Sequence, residues 1–267
     1  QTGVENPIVC ESNSLRHHVV PGLFFLVRRR DSDRCKPSAA EVMKYADQVV
    51  LFDGKSQNIA IDEIRLRGGM WIWPVDANAV ILAGGNSSRM GEDKALLPVG
   101  GKPLITHLFC QLQNSFHQVL ISTGNHPRYD FLDRCHTILD RIHGLGPLAG
   151  IHAALKASDR DFNFIVACDI PEIPLFLVRR MIATAADHDC VIAVRPSGWL
   201  EPLFGIYRKT MIPAIEAALA TGRGRVRDVF KEVRTCFFPL GDETSLKNLN
   251  TRNEYRDYLV DLRHDPI

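Results

Sequence analysis

The sequence lacks most of the features that tie a chain to a membrane, a nucleic acid or a structural metal. Its most apolar run, Val19 to Val27, is nine residues long and is broken by Pro21-Gly22; a spanning helix needs ~20. No charged and then apolar leader opens the chain, so no secretory signal is read. The 32 Lys and Arg nearly cancel the 31 Asp and Glu, leaving a net charge of +1 over 267 residues. The balance also holds within residues 1–77 and within the rest. No global basic field exists to hold nucleic acid or an anionic membrane. Seven cysteines include no CxxC pair, and ten histidines include no HExxH and no Cys/His cluster. Reduced thiols in a cytoplasmic protein without a structural metal are expected. Repeats and low-complexity tracts are missing as well. So are the two standard phosphate loops. Gly101-Lys102 runs into Pro103, with Leu96 where Walker A needs its first glycine. Gly144-Leu145-Gly146 continues to Gly150, one residue too far for GxGxxG.

What is present is an ordinary globular composition, 45% hydrophobic and 24% charged, in one large domain or two smaller ones. Residues 1–73 read as a small α/β segment. Pro37 to Ala46 opens like a helix, and strands are expected at Gln48 to Phe52 and Ile59 to Leu66. Gly68-Gly69, with Trp71, Trp73 and Pro74 following, mark a boundary near residues 68–76, the two tryptophans serving as packing. Residues 77–267 alternate strand and helix. Strands are predicted at Ala79 to Leu82, Gln118 to Ser122, His136 to Leu139, Phe162 to Cys168, Cys190 to Val194, Pro202 to Tyr207 and Cys236 to Phe238. Helices are predicted at Pro103 to Asn114, Tyr129 to Cys135, Pro147 to Ala157, Pro174 to Ala186, Lys209 to Ala220, Val226 to Val233 and Arg252 to Leu262. That alternation implies an α/β fold with a mostly parallel, doubly wound sheet, whose ligands bind beyond the carboxyl ends of the strands.

Ala79 to Leu104 (AVILAGGNSSRMGEDKALLPVGGKPL) carries the chemistry. A buried strand ends at Leu82, and Ala83, Gly84 and Gly85 follow with no bulky side chain. Their N–H groups can approach an anion closely, while Ser87, Ser88, Arg89 and Lys94 add donors and positive charge. These are the parts of a triphosphate cradle. Asp169 ends the apolar run FIVACD, so its carboxylate faces the ligand crevice. A lone carboxylate suits Mg²⁺, which fills its sphere with phosphate oxygens and water. Cys168 beside it reads as a buried strand residue, not a nucleophile.

LAGGxSxRMGxDKALL…GxPL resembles the signature loop of the molybdenum cofactor guanylyltransferases, within the wider nucleotidyltransferase family that includes sugar-phosphate pyrophosphorylases. Further pieces follow in order: Asp140 before Gly146-Pro147-Leu148-Ala149-Gly150, then Cys168-Asp169-Ile170-Pro171, PLFGIY from Pro202, and Asn248-Leu249-Asn250-Thr251. The likeness covers residues 78–262. It implies a Rossmann-like nucleotidyltransferase fold over residues 77–267 and Mg²⁺ held by Asp169. It implies nucleotide binding by Leu82, Ala83, Gly84, Gly85, Lys94, Asp140, Gly146 and Asp169, with Arg89 and Lys94 neutralising the triphosphate. Ser122 stands where family members often carry Asn as a base or ribose contact, with Asn125 nearby; here the sequence departs from the pattern. Guanylyl members read LAGG and cytidylyl members LAAG, so Ala83-Gly84-Gly85 favours GTP. The reaction implied is GMP transfer from GTP to the terminal phosphate of molybdopterin or the molybdenum cofactor, with molybdoenzyme apoproteins or their chaperones as partners. Arg223 and Arg225, joined by Arg227, form a basic stretch similar to the family's pterin side. Asn248 and Asn250, alternate residues of an extended segment, share a face and are expected to grip the acceptor with them. The rivals are cytidylyl transfer to the same pterin, nucleotidyl transfer to a sugar phosphate, and a non-catalytic cofactor delivery protein.

The segment 1–73 bears a fainter likeness to the later half of the P-loop adaptor proteins of molybdenum cofactor biosynthesis, in Cys10 to Leu15, GLFFLV and ADQVVLFDG. With no Walker A and no initiator Met, two expectations stand. One is a longer fusion whose phosphate loop precedes Gln1; the other is a docking domain without a nucleotide site.

Overall fold

The computed structural model describes residues 8–12, 14–19, 21–32, 34–67, 69–84, 93–124, 129, 131–132, 135–139, 144–241 and 246–264. The chain divides into two compact units. One comprises Gln1–Val75 with Pro174–Arg180, the other Asp76–Ile173 with Met181–Ile267.

In the first unit, β1 (Phe25–Arg29) and β2 (Gln48–Phe52) pair in parallel, joined by α1 (Pro37–Val42). Pro37 starts the helix, where its missing N–H costs nothing. Ala39 and Val42, three apart, bury against Leu26 and Ala46. A short antiparallel ribbon follows, β3 (Arg65–Arg67) and β4 (Met70–Ile72). The strand expected over Ile59 to Leu66 is therefore shortened. Asp62 and Glu63 interrupt the alternation, and Ile61–Glu63 forms a 3₁₀ turn instead. Arg179 is buried in this unit, donating to the Asp47 carboxylate at 3.1 Å and to the Trp73 carbonyl. Asp47 also accepts the Phe24 N–H at 2.8 Å. Trp73 packs edge-on to Phe25, with centroids 5.4 Å apart.

The second unit is built on a seven-stranded sheet. In chain order its strands are β5 (Asn78–Leu82), β8 (Val119–Ser122), β9 (His136–Ile138), β10 (Phe162–Ala167), β11 (Cys190–Val194), β12 (Leu200–Arg208) and β13 (Thr235–Pro239). A two-residue pair, β6 (Pro98–Val99) and β7 (Lys102–Pro103), lies outside it. The spatial order is β13-β11-β12-β10-β5-β8-β9. Only β12 runs antiparallel to its neighbours; the other pairings are parallel. Its helices are α2 (Leu104–Leu112), α3 (Pro147–Ala157), the last turn of α4 (Leu175–Thr184), whose opening belongs to the first unit, α5 (Ile212–Ala220) and α6 (Arg252–His264).

Strand residues alternate between two apolar faces. On one, Val80, Leu120, Ile165 and Ile192 pack with Leu148, Ile151 and Leu155 of α3 and Ile215 and Leu219 of α5. The other carries Ala79, Ile81, Phe164 and Phe204, with Phe116 stacked on Phe164 at 5.8 Å. Burial on both faces explains why the strands are continuous apolar runs. Each fully buried Leu, Ile or Phe contributes about 1.5–3 kcal/mol. The helix expected over Val226 to Val233 reduces to one 3₁₀ turn, Val226–Val229. Val226 and Val229 both bury, and a three-residue period suits them. The short helix read over Tyr129 to Cys135 falls partly outside the described residues. Among those described, no helix is long and apolar enough to cross a membrane.

Candidate active site

β5, β8, β10 and β11 run in the same direction, so their carboxyl ends share one edge of the sheet. The predicted site residues that fall within the described chain gather along that edge and in the loops beside it. Gly85, Arg89, Asn125 and Asp140 lie outside the described residues.

Leu82 ends β5, and its carbonyl accepts the Cys168 N–H at 3.1 Å. The next N–H, that of Ala83, donates to the Ser122 carbonyl at 2.8 Å. The chain leaving β5 is thus pinned between its two neighbouring strands. Gly84 then meets Gly124 backbone to backbone. A Cβ on Gly84 would lie 2.6 Å from the Gly124 nitrogen, and Gly124 has φ +71°. Both positions demand glycine, the first for space and the second for its left-handed backbone. Ser122 is buried at the end of β8. Thr123 after it is buried too, with its hydroxyl unpartnered among the described residues.

Lys94 starts a 3₁₀ turn, Lys94–Leu96, capped by the Asp93 side chain, which accepts the Ala95 N–H. Asp93 also accepts from the hydroxyl of Tyr129, a fully buried ring. So held, the Lys94 ammonium reaches the Asp169 carboxylate at 3.4 Å and the Asn250 side-chain oxygen at 3.1 Å. Lys94 and Asp169 are 15% and 20% exposed, so the pair is sheltered yet open to a ligand. The Asp169 carbonyl accepts the Leu249 N–H at 2.8 Å, which joins the NLNT segment to the end of β10. Burial and then the Asp169 charge push the Cys168 thiol up to about 12, so Cys168 stays a thiol at neutral pH.

Asn250 owes its position to α6. Thr251 caps that helix: its hydroxyl accepts the Glu254 N–H at 3.2 Å, while Glu254 accepts the N–H groups of Asn250 and Thr251 at 2.9 and 2.7 Å. This is a capping box. Hydrogen bonds from Thr251 hold the Glu254 carboxyl below its usual range. Asn248 turns to a different partner, accepting from Arg195 at 3.2 Å. Arg195 also pairs with Glu201 and donates to the Leu246 carbonyl at 2.9 Å. The two asparagines thus meet different partners, Asn250 the Lys94 ammonium and Asn248 the Arg195 guanidinium.

Arg223 and Arg225 are exposed on either side of Gly224. A Cβ on Gly224 would lie 2.1 Å from the Leu145 carbonyl oxygen. Its loop therefore packs backbone to backbone on the turn carrying Gly146, just ahead of α3. Arg223 donates to the Thr221 hydroxyl at 3.0 Å. Arg227 is committed elsewhere, its guanidinium 4.7 Å from the Trp199 ring centroid.

Sequence reasoning missed Tyr129, Gly124, Gly224, the Arg195–Glu201 pair and the Thr251–Glu254 box. Only the last had a local signal, Thr-x-x-Glu; the others depend on which strands become neighbours. Among the described residues no three His, Cys, Asp or Glu side chains gather as a metal cage. A single accessible carboxylate beside a lysine still fits Mg²⁺, which takes one or two protein carboxylates and completes its shell with phosphate and water.

A mostly parallel sheet in which Gly84 follows β5, and a lysine and a carboxylate meet at the end of the neighbouring β10, is the arrangement of a nucleotidyltransferase. The particular family follows from comparison. The profile of the MobA-like NTP transferase domain matches residues 79–236, and the chain belongs to that family. A molybdenum cofactor guanylyltransferase of Vibrio parahaemolyticus is 30% identical over 192 residues, covering 69% of this chain and 96% of the relative. A Carboxydothermus hydrogenoformans protein with the same name, qualified there as probable, is 37% identical over 186 residues, covering 67% and 93%. Among solved structures, molybdopterin-guanine dinucleotide biosynthesis protein A from Archaeoglobus fulgidus superposes with a TM-score of 0.62 at 21% identity, covering 70% of this chain and 99% of that one. That likeness bears on the fold.

Proposed function

We propose that the protein transfers GMP from GTP to the terminal phosphate of molybdopterin, releasing pyrophosphate and forming a dinucleotide. The observation that carries the reading is the meeting of Lys94, Asp169 and Asn250 at the strand ends beside the Gly84 turn. The names of the relatives supply the base and the acceptor. An acceptor phosphate oxygen attacks the α-phosphorus of GTP; one P–O bond forms and the bond to the departing pyrophosphate breaks. The attacking group is already an anion, so no general base is needed, and catalysis is positioning with charge neutralisation. Gly84 lets the backbone come close to the nucleotide. Lys94 exchanges its contact with Asp169 for a triphosphate oxygen and neutralises the leaving group. Asp169, so released, is the residue to hold Mg²⁺, which when bound offsets phosphate charge. Asn250 keeps Lys94 aimed while the site fills. Arg223, Arg225 and Asn248 border the acceptor side, where Arg195 holds Asn248 in place.

Pyrophosphate release with Mg²⁺ and molybdopterin, comparing GTP with CTP, tests this. Release with GTP alone is expected. Asp169→Ala and Lys94→Ala should each lower kcat by about 10²–10³ without lowering the melting temperature by more than a few degrees. Release with CTP would overturn the base, and undiminished turnover by Asp169→Ala would overturn the site.

A further inference from the structure

Trp199 is 60% exposed at the turn between β11 and β12. A single exposed aromatic is ordinary; its surroundings are not. The turn is closed by the Arg195 N–H on the Trp199 carbonyl and the Gly198 N–H on the Arg195 carbonyl, both at 2.8 Å, with Gly198 at φ +79°. One ring face is covered by the Arg227 guanidinium, which also donates to the Leu200 carbonyl at 3.1 Å. Below the turn, Arg195 is fastened to Glu201, Leu246 and Asn248. The closed turn and the Arg227 contact thus hold the indole in place while the residue stays 60% exposed. A tryptophan set in place loses little rotamer entropy when it receives a ligand.

The topology says which ligand. Since β12 is antiparallel to both neighbours, the β11–β12 turn lies on the same sheet edge as Asp169 at the end of β10. In the sheet order it stands on the opposite side of β10 from β5 and β8, whose loops carry Gly84 and Gly124. Two planar heterocycles enter the proposed reaction, guanine and the acceptor's pterin, and the turn is on the acceptor side. We propose that Trp199, backed by Arg227, is the platform on which the acceptor's ring stacks, setting acceptor specificity. This rests on the function proposed above.

The full-length protein and Trp199→Ala, Trp199→Phe and Arg227→Lys variants would be assayed for pyrophosphate release with molybdopterin and GTP. Trp199→Ala should raise the acceptor KM at least tenfold, about 1.4 kcal/mol, with the GTP KM moving less than twofold. Trp199→Phe should recover most of the loss, and Arg227→Lys should fall between. An unchanged acceptor KM, an equal rise for both substrates, or a rise for GTP alone would overturn the platform. Melting temperatures within a few degrees of the parent would exclude a folding defect, since the ring is exposed. If the parent protein releases no pyrophosphate from these substrates, the proposed function fails separately. The platform is then read by calorimetric titration with a phosphate-bearing pterin. Tenfold weaker binding by Trp199→Ala upholds it; equal binding, or no binding by the parent, overturns it.

Discussion

At the scale of single residues, the geometry turns on contacts too close for any side chain. Gly84 and Gly124 touch through backbone alone, so a methyl group at residue 84 must part the loops that follow β5 and β8. Gly84→Ala should therefore raise the GTP dissociation constant about tenfold or more, because misplaced binding groups lose far more than their contact energy. Calorimetric titration of GTP checks this; an unchanged affinity would mean that the loops separate freely. The first glycine of this contact was legible in the sequence, because LAGG follows a buried strand. The second was not. Gly124 sits in an undistinguished STGN stretch and matters only because β8 becomes the neighbour of β5, a pairing no local pattern records. Lys94 and Asp169, 75 residues apart, were each suggested by their own segment, but their mutual contact was not.

At the scale of elements, strand and helix types are legible where apolar periodicity is strong, as in β5, β10, α2 and α3. They are not legible where charged residues interrupt the pattern, as at Ile61–Glu63 and Val226–Val229. The NLNT segment is a stretch of chain whose shape comes from the helix after it. Thr251→Ala should cost α6 about 1 kcal/mol and should loosen Asn250, lowering turnover more than stability alone explains. The Glu254 carboxyl is held below its ordinary value, first by the Thr251 hydroxyl and also by backbone N–H groups. Its contribution is therefore complete above the unfolded carboxyl value of about 4.3 and fades as pH falls below it. Urea midpoints measured between pH 6 and pH 3 should drop less in Glu254→Gln than in the parent; parallel curves would remove Glu254 from the acid response.

At the scale of the whole molecule, the two units are not two successive stretches of sequence. The first unit takes in Pro174–Arg180, the opening of α4, so no single cut separates the chain into its folded parts. A break near residues 68–76 is expected from Gly68-Gly69, but no local pattern signals the later return of residues 174–180. The tie is the ion pair of Asp47 with Arg179, whose side chains are only 10% and 5% exposed. Burial lifts the Asp47 carboxyl and lowers the Arg179 guanidinium, even though each opposes the shift of the other. Removing one partner strands a buried charge. Arg179→Met should destabilise the first unit by about 3–5 kcal/mol. The double change Asp47→Asn with Arg179→Met should lose less, since the amide oxygen still accepts the Phe24 N–H. Denaturant unfolding followed by tryptophan emission reads this, because Trp71 and Trp73 lie in that unit. Equal losses in the single and double variants would mean that the pair is not the tie.

The return of α4 also imposes a schedule on synthesis. Asp47 is made 132 residues before Arg179, and a growing chain lengthens at about 5–20 residues per second. For about 7–26 s the front unit therefore exists without the cation that its buried aspartate requires, and it waits while β5, β8, β9 and β10 of the transferase sheet are made behind it.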